Sequence, residues 1–342
     1  MPAYNAAAYL APAIESILGQ SFGDFEFIII DDGSRDGTAA IVEGYRDERI
    51  RFFRQPNQGM ARTLNRAIEL SRGTLLARQD ADDIALPHRF EKQVAYLHAH
   101  PEVALVGTAA EIWLEEGPSG RFHRHPCDCL SLAFEMHFDN YLVHSSVMMR
   151  RSAIEAVGAY TTLESRRHED FELWSRMSRR FKMANLPEIL QVYREHPASM
   201  CRTEVFESRC IMLASENIAW ATGAGAVAPI HMALASLMRG SAPLDASSQL
   251  AELELLLSQT ATCTASRHGE PPTAISNALA VRLNSLRHHY YRFHPVQRTL
   301  RRCRAFLARA AGRLLNPVRV MAGIGMGLKR PECAAEDRAG SE

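Results

Sequence analysis

The sequence predicts an α/β fold with a mostly parallel sheet flanked by helices, followed by a helical C-terminal region. Between residues 9 and 110, short apolar runs of strand length alternate with stretches of helical apolar spacing, which is typical of parallel strands joined by crossover helices. Two of these runs end in carboxylates, at Asp31-Asp32 and at Asp80 to Asp83. Because ligands bind at the carboxyl ends of parallel strands, we expect both acidic turns at the ligand-binding edge of one sheet.

The first elements can be read in chain order. Apolar side chains recur at i, i+4, i+7 and i+8 over residues 10–18 and predict a helix. The mostly apolar run Phe25–Ile30 follows as a strand. The polar, glycine-containing turn Asp31–Thr38 ends this strand and leads into a second helix through Tyr45. A further strand is predicted at Arg51–Phe53.

The alternation then continues, becomes irregular and ends in a helical region. The next predicted elements are a turn at Asn57–Gly59, a helix at Met60–Ser71, a strand at Thr74–Arg78, a helix at Arg89–His98 and a strand at Val103–Gly107. Residues 111–200 show no regular pattern, and the chain is helical from about residue 201, with interruptions near 222–248 and 260–275. We therefore predict a domain over 1–200, a basic helical region over 201–330 and a disordered tail over 331–342.

Composition excludes several classes of protein. The 342 residues carry no formal net charge, which argues against a protein built to coat nucleic acid. Seven scattered cysteines predict neither a disulfide framework nor a structural zinc site, and they fit a reducing cytosol. The sequence contains no run of 18 apolar residues and no basic start followed by an apolar stretch, so we expect neither a membrane span nor a signal peptide.

The second acidic turn has the chemistry of a metal site. Asp80, Asp82 and Asp83 crowd like charges together, which a fold tolerates where they are solvated or where a hard cation lies among them. Mg²⁺ or Mn²⁺ commonly uses one or two protein carboxylates, and substrate phosphates complete the coordination shell. Asp82 with Asp80 or Asp83 supplies that set, whereas this cluster taken alone would more often be an N-cap and solvated turn.

The first acidic turn has the chemistry of a nucleoside site. The carboxylate of Asp32 could accept hydrogen bonds from a pyrimidine N–H or a ribose hydroxyl, and Tyr4 could stack on the base. Together, the two turns indicate a nucleoside diphosphate bound with a divalent cation.

With these residues in place, the sequence resembles the family 2 glycosyltransferases of the GT-A fold, over roughly residues 1–200. The resemblance rests on short motifs that occur together in the family's order and spacing. They are Met1–Asn5, Asp31–Ser34 with Asp36–Thr38, Asn57–Gly59 followed by Arg62 and Asn65, Gly73, Asp80–Asp83, Pro87 with Arg89, and Glu169-Asp170 with Leu173-Trp174. It implies a Rossmann-like nucleotide-binding sheet, with donor binding in residues 1–110 and acceptor binding in residues 111–200.

The resemblance also implies donor-site roles. Asp32 would bind the uracil or ribose of a nucleotide sugar, with Pro2, Tyr4 and Asn5 lining the same pocket and Arg62 in the same donor site. The donor implied is a UDP-sugar.

The D-x-D positions and the base follow in the same way. Asp82 would be the direct ligand of Mn²⁺ or Mg²⁺ and Asp80 would lie nearer the ribose. Asp170 matches the catalytic base, which takes the proton of an acceptor hydroxyl as that oxygen displaces the diphosphate with inversion. Contacts with the acceptor or the diphosphate are expected from Glu169, Trp174, Arg194 and His196. For Trp174, a buried structural position is an equal alternative.

The family's first strand normally carries several apolar residues before the motif Met1–Asn5. Because the sequence begins at Met1, we expect either that the natural start lies upstream or that the first strand is shortened, and a shortened strand would leave apolar surface open and weaken the nucleotide pocket.

A basic segment occupies the C-terminal region. Residues 282–330 contain twelve Lys or Arg and no Asp or Glu, and residues 298–315 place apolar and arginine side chains on opposite helical faces. This pattern favours contact with an anionic membrane surface over packing on the catalytic domain. It lacks the motifs of a nucleic-acid reader, so no nucleic-acid partner is expected. We expect a cytoplasmic protein, peripheral on the inner face of the plasma membrane.

The function predicted from the sequence is transfer of a sugar from a nucleotide-sugar donor to a glycan or lipid-linked glycan, in cell-surface polysaccharide or lipopolysaccharide assembly. A nucleotidyltransferase is the second enzyme hypothesis, but Met1–Leu10 lacks a glycine-rich basic loop. The alternative outside catalysis is a silent nucleotide- or glycan-binding domain that recruits partners through its basic region. Intact Asp82 and Asp170 argue against it.

Overall fold

The first sheet consists of three parallel strands in the order β1-β2-β3 in the computed structural model, which describes residues 1–162, 168–196, 204–242 and 249–294. The strands are β1 (Pro2–Ala3), β2 (Phe27–Asp31) and β3 (Ile50–Arg54), connected by helices α1 (Leu10–Leu18) and α2 (Thr38–Glu43). Every residue of β2 is buried, because helices and loops cover both faces of this central strand. The predicted parallel sheet is confirmed here, and the order of helices and strands up to β3 is as predicted.

The second sheet is mixed and has the order β4-β8-β6-β9-β5, with β7 paired to β6. Its strands are β4 (Leu75–Ala77), β5 (Ile84–Ala85), β6 (Val103–Leu114), β7 (Gly117–His123), β8 (Met148–Arg150) and β9 (Lys182–Arg194). In the described part of the chain, only β6 and β9 pair in parallel within this sheet. The two acidic turns therefore follow strands of different sheets, and the expectation that they share one sheet is wrong.

A cavity of about 910 Å³ lies between the edges of the two sheets, lined by β1 and β2 on one side and by β4 on the other. Its walls include the apolar side chains Phe27, Leu75 and Met148. The amino-terminal nitrogen of Met1 is buried beside it and donates a hydrogen bond to the Ile28 carbonyl at 2.8 Å. Burial, reinforced by the charge of Arg78, lowers the pKa of this amine to about 5.

The remaining helices cover the sheets and form the C-terminal region. They are α3 (Met60–Leu70), α4 (Arg89–Ala99), α5 (Cys129–Glu135), α6 (Arg151–Val157), α7 (Glu169–Ser178), α8 (Glu204–Ala221), α9 (Pro229–Met238), α10 (Leu250–Arg267) and α11 (Ser276–Phe293). The helical C-terminal region is thus confirmed. Contacts join Met1–Tyr290 into one unit, and the predicted division near residue 200 stays a prediction.

Two C-terminal helices extend into stretches that the sequence indicated as interruptions. Pro229 opens α9, where its missing N–H costs nothing because a first-turn N–H has no helical partner. Helix α10 continues to Arg267, and the buried hydroxyls of Thr260 and Thr264 donate to carbonyls one turn earlier, at 2.8 and 2.7 Å. Buried threonines can thus remain in a helix by bonding its own backbone.

The basic segment is described only as far as residue 294. Arg282, its first cation, is buried and donates from Nε to Glu135 Oε2 at 2.6 Å, so it faces the protein. Residues 298–315, the predicted amphipathic helix, and the predicted tail 331–342 lie outside the described residues. Among the described residues, no helix has the length and apolar character needed to cross a bilayer.

A buried arginine joins the segments around the second acidic turn. Arg89, at the start of α4, is completely inaccessible. Its Nη1 donates to Gln79 Oε1 at 2.9 Å, to the Ser145 carbonyl at 2.5 Å and to Gln191 Oε1 at 2.5 Å, and its Nη2 donates to the Arg78 carbonyl at 3.2 Å. Burial lowers its pKa to about 9, and the four hydrogen bonds offset part of the cost of removing the guanidinium from water.

We expect Arg89→Met to destabilise the fold by about 3 kcal/mol or more, because four buried acceptors lose their donor. Urea unfolding followed by circular dichroism measures this change. Arg46→Met removes an exposed guanidinium and is expected to change the free energy of unfolding by less than about 0.5 kcal/mol. Equal stability of Arg89→Met and the wild type would contradict the role given to Arg89.

Candidate active site

Asp32 directly follows β2 and is held by the turn that precedes α3. Its Oδ1 accepts from Gln55 Nε2 at 2.6 Å and from the Gln58 N–H at 2.9 Å, and its Oδ2 accepts from the Gly59 N–H at 2.9 Å. The side chain of Asn57 donates to the Asp32 carbonyl at 3.0 Å. Asp32 is 4% exposed, so its carboxylate is fixed in place and keeps only part of its hydrogen-bonding capacity for a ligand.

The loop after β1 lies against the loop after β2. The Asn5 N–H donates to Ser34 Oγ at 2.9 Å, and Asn5 Oδ1 accepts from the Arg35 N–H at 2.9 Å. Asn5 has a φ of +49°, a left-handed conformation that asparagine tolerates better than most residues. Of the other predicted donor-site residues, Pro2 is buried in β1, Tyr4 is 51% exposed and Arg62 is exposed in the first turn of α3.

Gly33 permits the close approach of these segments. It has a φ of +80°, and a Cβ placed there would lie 2.7 Å from the Asn57 nitrogen. Only glycine avoids both the strained backbone and the collision.

The three carboxylates of the second acidic turn converge. One oxygen each of Asp80, Asp82 and Asp83 lies within 4.8 Å of the others. Asp80 and Asp82 are partly exposed, whereas Asp83 is buried. Carboxylate oxygens in this arrangement suit a hard divalent cation such as Mg²⁺ or Mn²⁺, so the residues present fit the predicted metal.

A guanidinium and an imidazole lie against this cluster. Arg78 is buried, and its Nη1 forms an ion pair with Asp80. Asp82 Oδ2 lies 3.0 Å from His196 Nε2. The guanidinium thus pairs with Asp80, whereas the carboxylate of Asp82 is more exposed and lies beside an imidazole. Asp82 therefore suits direct metal binding better than Asp80.

Asp83 has a structural environment. Its Oδ2 accepts from Ser145 Oγ, and its Oδ1 accepts from the Arg194 N–H at 2.8 Å. Burial, reinforced by the charge of Asp82, raises the pKa of Asp83 to about 7. Asp83 therefore ties the acidic turn to the end of β9.

The end of β9 places Arg194 and His196 at the acidic turn, as the sequence predicted for groups near the diphosphate. Arg194 Nη1 donates to the Asp82 carbonyl at 3.2 Å. The ring of Tyr9 stacks on His196 with 4.9 Å between centroids, and the Arg194 guanidinium lies 5.6 Å from the Tyr9 ring. Their contact with a substrate stays a prediction.

Asp170, the predicted base, lies in the first turn of α7 and is half-buried. Its Oδ2 accepts from Asn140 Nδ2 at 2.8 Å and its Oδ1 accepts from the Phe171 N–H at 2.7 Å. The low-polarity surroundings, with the adjacent charge of Glu169, raise the pKa of Asp170 to about 6. A carboxyl group with this pKa is ionised at neutral pH and accepts a proton more readily than an ordinary aspartate.

Trp174 takes the structural position that the sequence left open. It is completely buried in the core. Its ring packs edge-on against His144 at 5.8 Å and Tyr160 at 6.5 Å. Stacking on an acceptor sugar requires an accessible ring face, so the expected acceptor contact of Trp174 is not supported, and Glu169, which is partly exposed, retains its predicted place.

Sequence reasoning missed three polar residues that shape the site. Arg78 precedes Asp80 by two residues, and an extended chain places side chains two residues apart on the same side. This spacing could have indicated that Arg78 lies beside Asp80. Asn140 lies 30 residues from Asp170, and Ser145 lies 62 residues from Asp83. No local pattern indicates contacts over such distances.

The part of the chain that carries these site residues matches a known protein family. The family model for glycosyl transferase family 2 covers residues 1–208 of 342, which is more than half of the sequence. The chain belongs to glycosyltransferase family 2. The predicted family and enzyme class are therefore confirmed.

Relatives of this glycosyltransferase align over the same region. EpsE of Bacillus subtilis (strain 168) is 36% identical over 201 residues, which are 57% of this chain and 71% of EpsE. The amylovoran biosynthesis glycosyltransferase AmsE of Erwinia amylovora is 32% identical over 192 residues, which are 54% of this chain and 70% of AmsE.

Solved structures establish the fold of this glycosyltransferase as GT-A. Residues 1–349 of S. aureus TarS, in complex with UDP-GlcNAc, superpose with a TM-score of 0.54 at 15% identity, covering 87% of this chain and 90% of that one. The mannosyltransferase PcManGT from Pyrobaculum calidifontis, in complex with GDP-Man and Mn²⁺, superposes with a TM-score of 0.51 at 20% identity, covering 93% and 86%. At these identities the likeness concerns the fold alone.

We expect Gly33→Ala to lower the free energy of unfolding by roughly 1 to 3 kcal/mol, because the new Cβ meets the Asn57 backbone at a left-handed φ. Urea unfolding measures the loss. Gly23→Ala is the matched control, since a Cβ at Gly23 meets nothing within 4 Å. A Gly33→Ala protein as stable as the Gly23→Ala protein would show that the two loops separate without cost.

Proposed function

We propose that this family 2 glycosyltransferase is a metal-dependent, inverting enzyme that transfers a sugar from a UDP-sugar to a glycan or lipid-linked glycan. One observation carries the proposal: the buried guanidinium of Arg78 forms an ion pair with Asp80 in the acidic cluster, and its charge also acts on Asp170 in α7, so the candidate metal ligands and the candidate base lie near the same cation. A donor diphosphate at the cluster and an acceptor hydroxyl at Asp170 would therefore be neighbours.

The donor and the setting rest on the relatives. AmsE is named for amylovoran biosynthesis, TarS binds UDP-GlcNAc and PcManGT binds GDP-Man with Mn²⁺. These names support a nucleotide-sugar donor and cell-surface polysaccharide or lipopolysaccharide assembly for this chain. We favour UDP because Asp32, at the end of β2, can accept a hydrogen bond from the uracil N–H.

The metal would be held by Asp82, with Asp80 and substrate phosphate oxygens as further ligands. When bound, a divalent cation offsets the negative charge that develops on the departing diphosphate. Arg194 and His196, at the end of β9, would lie beside the same phosphates.

Asp170 would act on the acceptor. The acceptor oxygen forms the new bond to the anomeric carbon, the bond to the diphosphate oxygen breaks with its electron pair leaving on the diphosphate, and the hydroxyl proton passes to the carboxylate of Asp170. Asn140 and the Phe171 N–H fix the orientation of that carboxylate. A single displacement inverts the configuration at the anomeric carbon.

Asp82→Ala should abolish the metal-dependent part of UDP binding, because it removes the proposed direct ligand. Calorimetric titration of UDP with Mn²⁺ and with EDTA measures it. Asp24→Ala, which removes an exposed carboxylate on a loop, should bind UDP as the wild type does. If the wild type binds UDP equally well with Mn²⁺ and with EDTA, the proposed metal dependence is wrong.

Asp170→Asn should keep UDP binding and lower the transfer rate by roughly 10²-fold or more, because an amide cannot accept the proton. The wild-type kcat should fall as the pH decreases through about 6, where Asp170 becomes protonated, and this limb should be absent from the residual activity of the variant.

The measurement is the release of UDP when a panel of UDP-sugars is incubated with glycan acceptors. It is made between about pH 5 and 8, which spans roughly one to two units either side of the pKa of Asp170. Unchanged kcat in Asp170→Asn would refute its role as the base. UDP binding without any transfer by the wild type would instead support the silent nucleotide-binding domain.

A further inference from the structure

A second pocket lies where α5, α8 and α10 meet the loop between α7 and β9. Its volume is about 230 Å³. Its buried floor is formed by Ala133, His137 and Thr264, and Trp220 forms a half-buried wall. The pocket therefore has a fixed base and an opening at the surface.

Cations from separate parts of the chain surround this opening. Arg179 and Arg180 come from the loop between α7 and β9, Lys182 is the first residue of β9, and Arg267 comes from the last turn of α10. Lys182, Arg180 and Arg267 are exposed. None of the described residues that line the pocket carries a carboxylate.

Two of these cations are positioned by neutral groups. Arg267 Nη2 donates to the Trp220 carbonyl at 3.1 Å, and Arg180 Nη1 donates to the Ala156 carbonyl at 2.5 Å. The guanidiniums of Arg179 and Arg267 lie 5.3 Å and 4.2 Å from the Trp220 ring centroid. Carbonyl oxygens orient Arg180 and Arg267 without cancelling their charge, so these two groups contribute positive potential at the opening.

Two histidines at the pocket respond to this potential. Burial, together with the charges of Arg267 and Arg179, lowers the pKa of His137 to about 3. Burial and the charge of Lys182 lower the pKa of His268, against a smaller opposing effect of Glu270. The imidazoles therefore remain neutral, and His137 Nε2 lies 3.0 Å from Thr264 Oγ1.

The pocket is separate from the proposed active site. Lys182 begins β9 and Arg194 ends it, and 13 extended residues place their ends on the order of 35 Å apart. Arg179 follows α7, whose first turn carries Asp170, and nine helical steps correspond to about 14 Å.

Cations after α7 are favourable at the C-terminal end of any helix, which accounts for Arg179 and Arg180. It does not account for Lys182 on β9 or for Arg267 on α10, which enter the same pocket from other elements. Guanidinium and ammonium groups that converge on one opening suit a ligand with several negatively charged oxygens.

We propose that this pocket binds a phosphate or diphosphate group, independently of the donor metal site. The guanidinium of Arg267 and the ammonium of Lys182 contact its oxygens, and Trp220 forms the wall beside them. The group can belong to a free phosphate compound or to the headgroup of a lipid, since both present the same oxygens.

The test is calorimetric titration of inorganic pyrophosphate into the full chain with EDTA present, which removes any metal needed at the acidic cluster. The double variant Lys182→Gln, Arg267→Gln should bind at least tenfold more weakly. Lys92→Gln, which removes an exposed cation on α4, should bind as the wild type does. Lys182→Gln alone, at an exposed position, serves if the double variant loses its circular dichroism signal.

Absence of pyrophosphate binding by the wild type, or equal binding by all variants, overturns the proposal. Co-sedimentation with phosphatidylcholine vesicles, with and without phosphatidic acid, distinguishes the sources. If sedimentation that depends on phosphatidic acid is lost in the double variant but kept in Lys92→Gln, the site is assigned to a lipid headgroup. If the double variant and Lys92→Gln sediment equally, the site is assigned to a free phosphate compound.

Discussion

The guanidinium of Arg89 is the contact on which the candidate site most depends. It is a cation with no exposure to water, and its acceptors belong to the strand end before the acidic turn, to the turn that carries Ser145 and to β9. The strand end and the turn that carries Ser145 are short and irregular and could not hold their conformations alone, whereas β9 is a long strand paired with β6. Since the guanidinium is planar and its donors point in fixed directions, it sets the spacing of all three segments at once.

The acidic cluster of the candidate site combines several negative charges with a buried positive one. Three carboxylates converge within 4.8 Å, and Arg78 and His196 approach them from different sides. Because Arg78 already neutralises part of the negative charge of this cluster, the carboxylates alone attract a divalent cation less strongly. We expect cation binding to depend also on a diphosphate, because its oxygens supply further negative charge. Metal and donor should therefore bind more tightly together than separately.

The local spacing of apolar residues predicted the elements in which buried positions recur at regular intervals. Strand β2 and helices α1, α3 and α4 follow from apolar spacing, and the acidic cluster follows from residue type alone. The division into two sheets could not be predicted, because pairing of β4 with β8 is a long-range choice. The same holds for Trp174, whose burial depends on His144 and Tyr160, and for Asn140, whose contact with Asp170 joins separate segments.

The parallel pairing of β6 with β9 has a consequence for the order in which the chain folds. Val103 of β6 pairs with Lys182 of β9, a separation of 79 residues along the chain. The loop-closure entropy for such a distant pair must be lost before the strand contacts form. We therefore expect this pairing to form after the local helices rather than to nucleate folding.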